Sequence, residues 1–216
     1  MDFTVKNKTY KAQRVFCIGR NYVAHIEELN NDMPDSPIVF MKPATSLVSS
    51  EEKTVSYPGF CEDLHFETEL VVLIGKEGVP TDDDDAKNFI AGLAVGLDLT
   101  MRDVQNDLIE NSLSWEKCKA FDQSAPIGKF AAFDSSCDLK NIKFSGSVNG
   151  ELRQSGDSAL MIFPITRLIK ELSKFWKLLP GDLIFTGTPA GVGPLQRGDK
   201  IEIIDPQGKS YSWEIS

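Results

Sequence analysis

Apolar residues recur along the chain in two rhythms. Short runs that are apolar at most positions, Val15 to Ile18, Ile38 to Met41, Leu64 to Ile74, Ile90 to Leu97 and Leu183 to Thr186, read as strands. Ile142 to Val148 is a further strand, and Asn149-Gly150 after it is a strong hairpin turn. A second hairpin, Lys200 to Ile204 with Lys209 to Ile215, folds around Asp205-Pro206-Gln207-Gly208. The other rhythm is helical. After Pro164, a residue suited to a first helical position, Ile165, Leu168, Ile169, Leu172, Phe175 and Trp176 fall on one face. Shorter helices are expected over Tyr22 to Leu29, closed by Asn30-Asn31-Asp32, and after the acidic start Asp82 to Asp85. Thr100 to Leu113 also reads as a helix, with Thr100-Met101-Arg102-Asp103 resembling a capping box. Ser49 to Glu62, Gln154 to Asp157 and Gly187 to Gly193 read as loops. Strands outnumber helices and do not alternate with them, so an α+β fold, mainly β and built on mixed sheet, is expected.

A chain of 216 residues suits one substantial domain. Its 23 Lys and Arg stand against 32 Asp and Glu, a formal charge of −9, with no basic cluster, which argues against binding nucleic acid phosphates. No apolar run approaches the roughly 20 residues that cross a bilayer, so no membrane partner is expected. Met1 to Arg14 is polar and does not resemble a signal peptide. Cys17, Cys61, Cys118 and Cys137 form no CxxC pair, which points to reduced thiols and a cytoplasmic protein. The only histidines are His25 and His65, so a metal would be held mainly by carboxylates, which favours Mg²⁺ or Mn²⁺.

The sharpest chemical signal is His65-Phe66-Glu67-Thr68-Glu69-Leu70-Val71. Alternate residues of a strand share a face, so Glu67 and Glu69 point the same way, with Cα atoms roughly 6.6–6.8 Å apart. Two like charges entering a core repel each other and lose hydration, and a divalent cation would relieve both costs. A sheet edge with both carboxylates in water is the alternative. Asp98 follows the apolar and glycine-rich run Ala91 to Leu97 and stands at the end of a buried strand. It is either a third ligand or a cap for the helix starting near Thr100. Together the three would leave about three positions of an octahedral ion free, with Arg102 and Lys119 as candidates to balance the charge. His25 and Glu28, three apart on a helix, are neighbours, and a carboxylate beside an imidazole raises its basicity.

The chain resembles the fumarylacetoacetate hydrolase family, especially its short acylpyruvase and oxaloacetate decarboxylase members. The resemblance rests on Gly19-Arg20-Asn21-Tyr22 with His25, Phe40-Met41-Lys42-Pro43, Glu67-Thr68-Glu69, Asp98 to Gln105, Lys119-Ala120-Phe121-Asp122, Met161-Ile162-Phe163 and Thr186 to Gly193. It implies a β-roll or sandwich of mixed sheets with a few flanking helices, over residues 1–216. Residues 1–50 would carry N-terminal strands and a mobile lid. It further implies that Glu67, Glu69 and Asp98 hold Mg²⁺ or Mn²⁺, and that His25 and Glu28 form a catalytic dyad with Lys119. Arg20, Arg102, Lys119, Gln154 and Thr188 would bind a small 2-oxo acid, and the protein would be a homodimer. Phe66 stands where many short members have a second histidine. The extra N-terminal domain of the larger members is not expected.

The activity expected is metal-dependent hydrolysis of a C–C bond in acylpyruvates such as acetylpyruvate or fumarylpyruvate. Decarboxylation or keto–enol tautomerisation of oxaloacetate is the alternative at the same site. Two other classes compete: a non-enzymatic metal- or carboxylate-binding protein, and a nucleotide-binding protein suggested by the glycine loop. That loop lacks the Gly-Lys-Ser/Thr of a P-loop.

Overall fold

The computed structural model describes residues 1–29 and 32–216, so the Asn30-Asn31 helix stop lies outside the described residues. An eight-stranded mixed sheet organises the chain. Its central strands, Thr68–Ile74 and Ile90–Leu97, are antiparallel, with Glu69 opposite Gly96 and Val71 opposite Ala94. Leu183–Phe185 lies beside Thr68–Ile74 and runs parallel to Val15–Gly19, which pairs in turn with Ile38–Lys42. On the other flank, Ala125–Ile127 and Leu47–Ser49 extend the sheet. Every residue of Thr68–Ile74 is buried, which is why the run stays apolar on both faces after Glu69.

Burial on both faces makes two cores. The larger includes Phe16, Val72, Leu97, Leu168, Leu172, Ile201 and Trp213. It brings the helix Ile165–Ser173 and the five-stranded sheet of Glu151–Asp157, Lys143–Val148, Lys200–Ile204, Ser210–Ile215 and Thr54–Val55 onto the central strands. The smaller contains Val71, Leu73, Ala94, Cys17 and Phe185, with Phe3, Val5 and Tyr10 from the N-terminal hairpin Asp2–Val5 and Lys8–Lys11. The mixed-sheet, mainly β expectation is met. Among the described residues, no helix is long and apolar enough to cross a membrane.

Several local expectations differ from the structure for identifiable reasons. Leu64 to Ile74 is two strands, Leu64–Phe66 and Thr68–Ile74, because the chain passes from a three-stranded sheet to the central one at Glu67. The helix expected from Thr100 starts at Arg102 and is preceded by the short strand Thr100–Met101. Its N-cap, Met101, makes no side-chain cap, and the Thr100 hydroxyl donates instead to the Asp98 carbonyl. Gln154 to Asp157 is not a loop but the end of a strand at the edge of its sheet. Its outward face meets water, which explains the polar composition. Pro164 is the N-cap of its helix rather than the first helical residue, and Phe175, beyond the helix end, is exposed.

The N-terminal segment is tied to the turn before Leu183–Phe185 by Asp182, which is fully buried. Its carboxylate accepts from Arg14 Nε at 3.0 Å, from Arg14 Nη2 at 2.5 Å and from the Leu179 N–H at 2.8 Å. Removing a buried acceptor strands its donors. Asp182→Ala is therefore expected to cost about 3 kcal/mol, read as a lower midpoint in urea unfolding.

Candidate active site

The smaller core ends in charge. The face of Thr68–Ile74 that carries Leu73 and Val71 continues to Glu69 and, past the break, to Glu67. The facing strand continues from Ala94 and Gly96 to Asp98, whose N–H donates to the Glu67 carbonyl at 2.8 Å. Strand periodicity and register thus deliver three carboxylates to one spot. Gly96 opposite Glu69 is required by close packing, since a Cβ there would lie 2.9 Å from the Phe185 ring. Glu67, Glu69 and Asp98 are all buried, and one oxygen from each lies within 4.8 Å of the others. The reading of Glu67 and Glu69 as a solvated edge pair and that of Asp98 as a helix cap both fall away.

Three cations share the burial. Lys119 donates its three N–H groups to Glu67 Oε2 at 2.6 Å, Asp98 Oδ2 at 2.8 Å and Thr100 Oγ1 at 2.6 Å. Arg102 donates to Glu67 Oε1 through Nη2 and to Gln105 Oε1 through Nη1, and its Nε faces His65 Nδ1 at 3.5 Å. Lys42 Nζ lies 2.8 Å from Asp98 Oδ1, at an angle that leaves this oxygen without a hydrogen bond. Burial works against the Lys119 charge, but Asp98 and Glu67 outweigh it and hold the ammonium above its ordinary pKa. With its three N–H groups donated, Lys119 stands in this arrangement as an electrostatic group. Burial also opposes ionisation of Glu67, yet Lys119 and Arg102 hold it well below the carboxylate range.

Glu69 is the exception. It accepts only the Gly187 N–H, at 2.8 Å, and no ion pair among the described residues reaches it. Burial, then Asp98 and Glu67, push its pKa well above the usual value. A carboxylate forced towards protonation by two others, in an all-oxygen donor set, fits a hard divalent cation.

His25 is buried on the helix Val23–Glu28, with Nδ1 3.3 Å from Glu28 Oε2. Glu28 also accepts the Gly191 N–H at 3.0 Å. The pair assigns the proton to Nδ1 and leaves the Nε2 lone pair free. Burial lowers the His25 pKa against the opposing pull of Glu67 and Glu28, so the ring is neutral at neutral pH. A cavity of about 40 Å³ lies between these groups, bounded by Arg20, His25, Glu67, Glu69, Asp98, Arg102, Gln105, Lys119 and Thr188.

The structure brings together every expected site residue except Gln154, with Glu28 behind His25. Gln154 is fully buried behind Thr188. Its Oε1 accepts the Thr68 N–H, and its Nε2 donates to Thr188 Oγ1 and the Pro189 carbonyl, each at 2.8 Å. Its amide is spent on holding the glycine loop. Thr188 donates its hydroxyl proton to the Thr68 carbonyl at 3.0 Å, so in this arrangement that proton is not offered to the cavity. Lys42, Gln105 and the His65–Asp63 pair behind Arg102 were not singled out from the sequence. Gln105 carried a signal, being three residues after Arg102 on a helix.

Residues 14–208 match the family model for the fumarylacetoacetate (FAA) hydrolase C-terminal region. The chain belongs to the fumarylacetoacetate hydrolase family. It is 43% identical over 195 residues to the oxaloacetate tautomerase YcgM of Escherichia coli K12, covering 90% of this chain and 89% of that one. It is 38% identical over 197 residues to an oxaloacetate decarboxylase, mitochondrial, of Dictyostelium discoideum, covering 91% and 90%. Among solved structures, fumarylpyruvate hydrolase of Pseudomonas aeruginosa, in complex with Mn²⁺ and pyruvate, superposes with a TM-score of 0.93 at 36% identity. That match covers 100% of this chain and 95% of the other. This is a family of enzymes, and the named relatives act on small 2-oxo acids or hold one.

The raised pKa of Glu69 has a sign that can be measured. A protonated Glu69 must lose its proton to ligate, so divalent ion binding is expected to release up to one proton. Affinity should fall as pH falls. Calorimetry with Mn²⁺ over a pH series, in buffers of different ionisation enthalpy, reads this directly; an affinity that does not fall as pH falls would contradict it.

Proposed function

We propose that this protein enolises small 2-oxo acids of the oxaloacetate type, as a divalent-metal-dependent oxaloacetate tautomerase with associated decarboxylation. The observation that supports this most is a neutral base, His25, oriented by Glu28 over a site lined by three carboxylates, Lys119 and Arg102. Glu67, Glu69 and Asp98 would hold the ion, Mg²⁺ or Mn²⁺. When bound, the ion supplies a Lewis acid for the negative charge that develops on the 2-oxo oxygen. Arg102, with N–H groups to spare, binds the adjoining carboxylate, and Lys119, whose own N–H groups are held by Glu67, Asp98 and Thr100, stabilises the same charge electrostatically. His25 Nε2 takes the enol hydroxyl proton and returns it to C3, so one base serves both ends of the tautomerisation. Arg20 and Thr188 border the space a substrate tail would occupy. The cavity of about 40 Å³ has room for an ion and a few waters, and in this reading the helix Val23–Glu28 moves to admit substrate.

A second reading, hydrolysis of an acylpyruvate, is favoured by the same His25–Glu28 pair, which suits water activation, and by the fumarylpyruvate hydrolase likeness. The panel that separates the two is oxaloacetate ketonisation, oxaloacetate decarboxylation, and cleavage of acetylpyruvate and fumarylpyruvate, each with and without chelator. Oxaloacetate ketonisation is expected to be fastest, lost with chelator and restored by Mg²⁺ or Mn²⁺. Dominant acylpyruvate cleavage would assign the second reading, and inertness towards all four would refute both.

His25→Ala is expected to lower kcat by about 10²–10⁴-fold with little change in KM. Because the neutral ring is the base and its pKa is lowered, kcat/KM should hold through neutral pH. It should fall on the acid side with a midpoint below the ordinary histidine value. A pH profile that rises towards acid would contradict this role.

A further inference from the structure

Lys42 is wholly buried, does not border the cavity, and pairs with Oδ1 of the Asp98 carboxylate, whose other oxygen Lys119 already holds. We infer that Lys42 is a specificity-determining residue that acts at a distance, setting the loaded site at a charge that selects dianionic over monoanionic 2-oxo acids. The inference rests on the reading of the site as a divalent-ion centre for 2-oxo acids.

The charge count carries the argument. Glu67, Glu69 and Asp98 contribute −3, and Lys42, Lys119 and Arg102 contribute +3. With Glu69 ionised, as a ligand must be, the six sum to zero, and a divalent ion brings the loaded site to +2. At the rim, Arg20 and Glu28 cancel. A substrate with two carboxylates then restores neutrality inside a buried site. Without Lys42 the loaded site would stand at +1, the match for a single carboxylate. Oxaloacetate and fumarylpyruvate carry two carboxylates, and acetylpyruvate carries one.

The placement of Lys42 fixes its ammonium beside Asp98. The strand Ile38–Lys42 ends at it, and Pro43 follows. Its ammonium reaches the Lys119 carbonyl, Ser124 Oγ at 2.9 Å and the Leu99 carbonyl at 3.4 Å, besides Asp98 Oδ1. Three N–H groups thus meet four oxygens. Because the side chain has no exposure, water does not screen it from the cavity. Coulomb energy scales with ligand charge, so removing this cation should weaken a dianion by the square of the factor lost by a monoanion. The same change should tighten binding of the metal ion, which Lys42 repels.

Opposite signs separate this role from a structural one, since loosening the site weakens every ligand together. The test is calorimetry on Lys42→Gln, which keeps a donor for the Lys119 carbonyl, and on Lys42→Met, with Lys42→Arg as the charge-preserving control. Each is titrated with Mn²⁺, and then, saturated with Mn²⁺, with oxalate and with pyruvate. For either neutral variant we expect Mn²⁺ to bind at least as tightly as in the wild type. Pyruvate should weaken by about 10-fold and oxalate by about 100-fold, and Lys42→Arg should keep the wild-type ratio of the two. An unchanged oxalate-to-pyruvate ratio, or Mn²⁺ and both anions weakened together, would overturn the inference while leaving the metal-site reading standing. Failure of Mn²⁺ to bind the wild type would overturn both.

Discussion

Three carboxylates packed at the end of a hydrophobic core set the terms for everything around them. Their mutual repulsion and lost hydration are uncompensated unless positive charge reaches the same volume. Lys42, Lys119 and Arg102 do this for Glu67 and Asp98 but leave Glu69 with a lone backbone donor. The arrangement is therefore unbalanced in space, with the shortfall of positive charge at Glu69. A divalent ion held by these carboxylates would correct the local imbalance and leave the loaded cluster cationic, which is the condition for holding an anionic substrate away from water.

The fold enforces this through register. Glu69 and Glu67 extend the face that buries Val71 and Leu73, and Asp98 extends the facing row through Gly96 and Ala94. A slip of one residue in the pairing of these two strands would send the charges into the larger core and the apolar rows into the site. The same packing that stabilises the central sheet thus fixes the donor geometry, with Phe185 closing over Gly96. At the periphery, the helix Val23–Glu28 meets the glycine loop through the Glu28 contact to the Gly191 N–H.

Much of this was legible in the sequence, and the reasons differ by residue. Glu67 and Glu69 were readable because a period of two survives even the break between Phe66 and Thr68. His25 and Glu28 were readable as a pair because they are local neighbours on a helix, and as a candidate dyad only through the family resemblance. Lys42 stood inside a recognised motif, but its partner Asp98 is 56 residues away, and no local pattern announces that contact. Gln154 was misread because an edge strand with one wet face has the composition of a loop. Thr100 has the composition of a helix cap, but its hydroxyl is claimed by Asp98 and Lys119, a tertiary demand that overrides the local preference.

The central claim is that these three carboxylates share one divalent ion. Crystals grown with Mn²⁺, measured at the manganese absorption edge, test it most directly. The account predicts one strong anomalous peak bonded at about 2.1 Å to an oxygen of each of Glu67, Glu69 and Asp98, with the Lys119 ammonium displaced from between Glu67 and Asp98 or retained beside the ion. A peak elsewhere, or none at a Mn²⁺ concentration that supports activity, would contradict it.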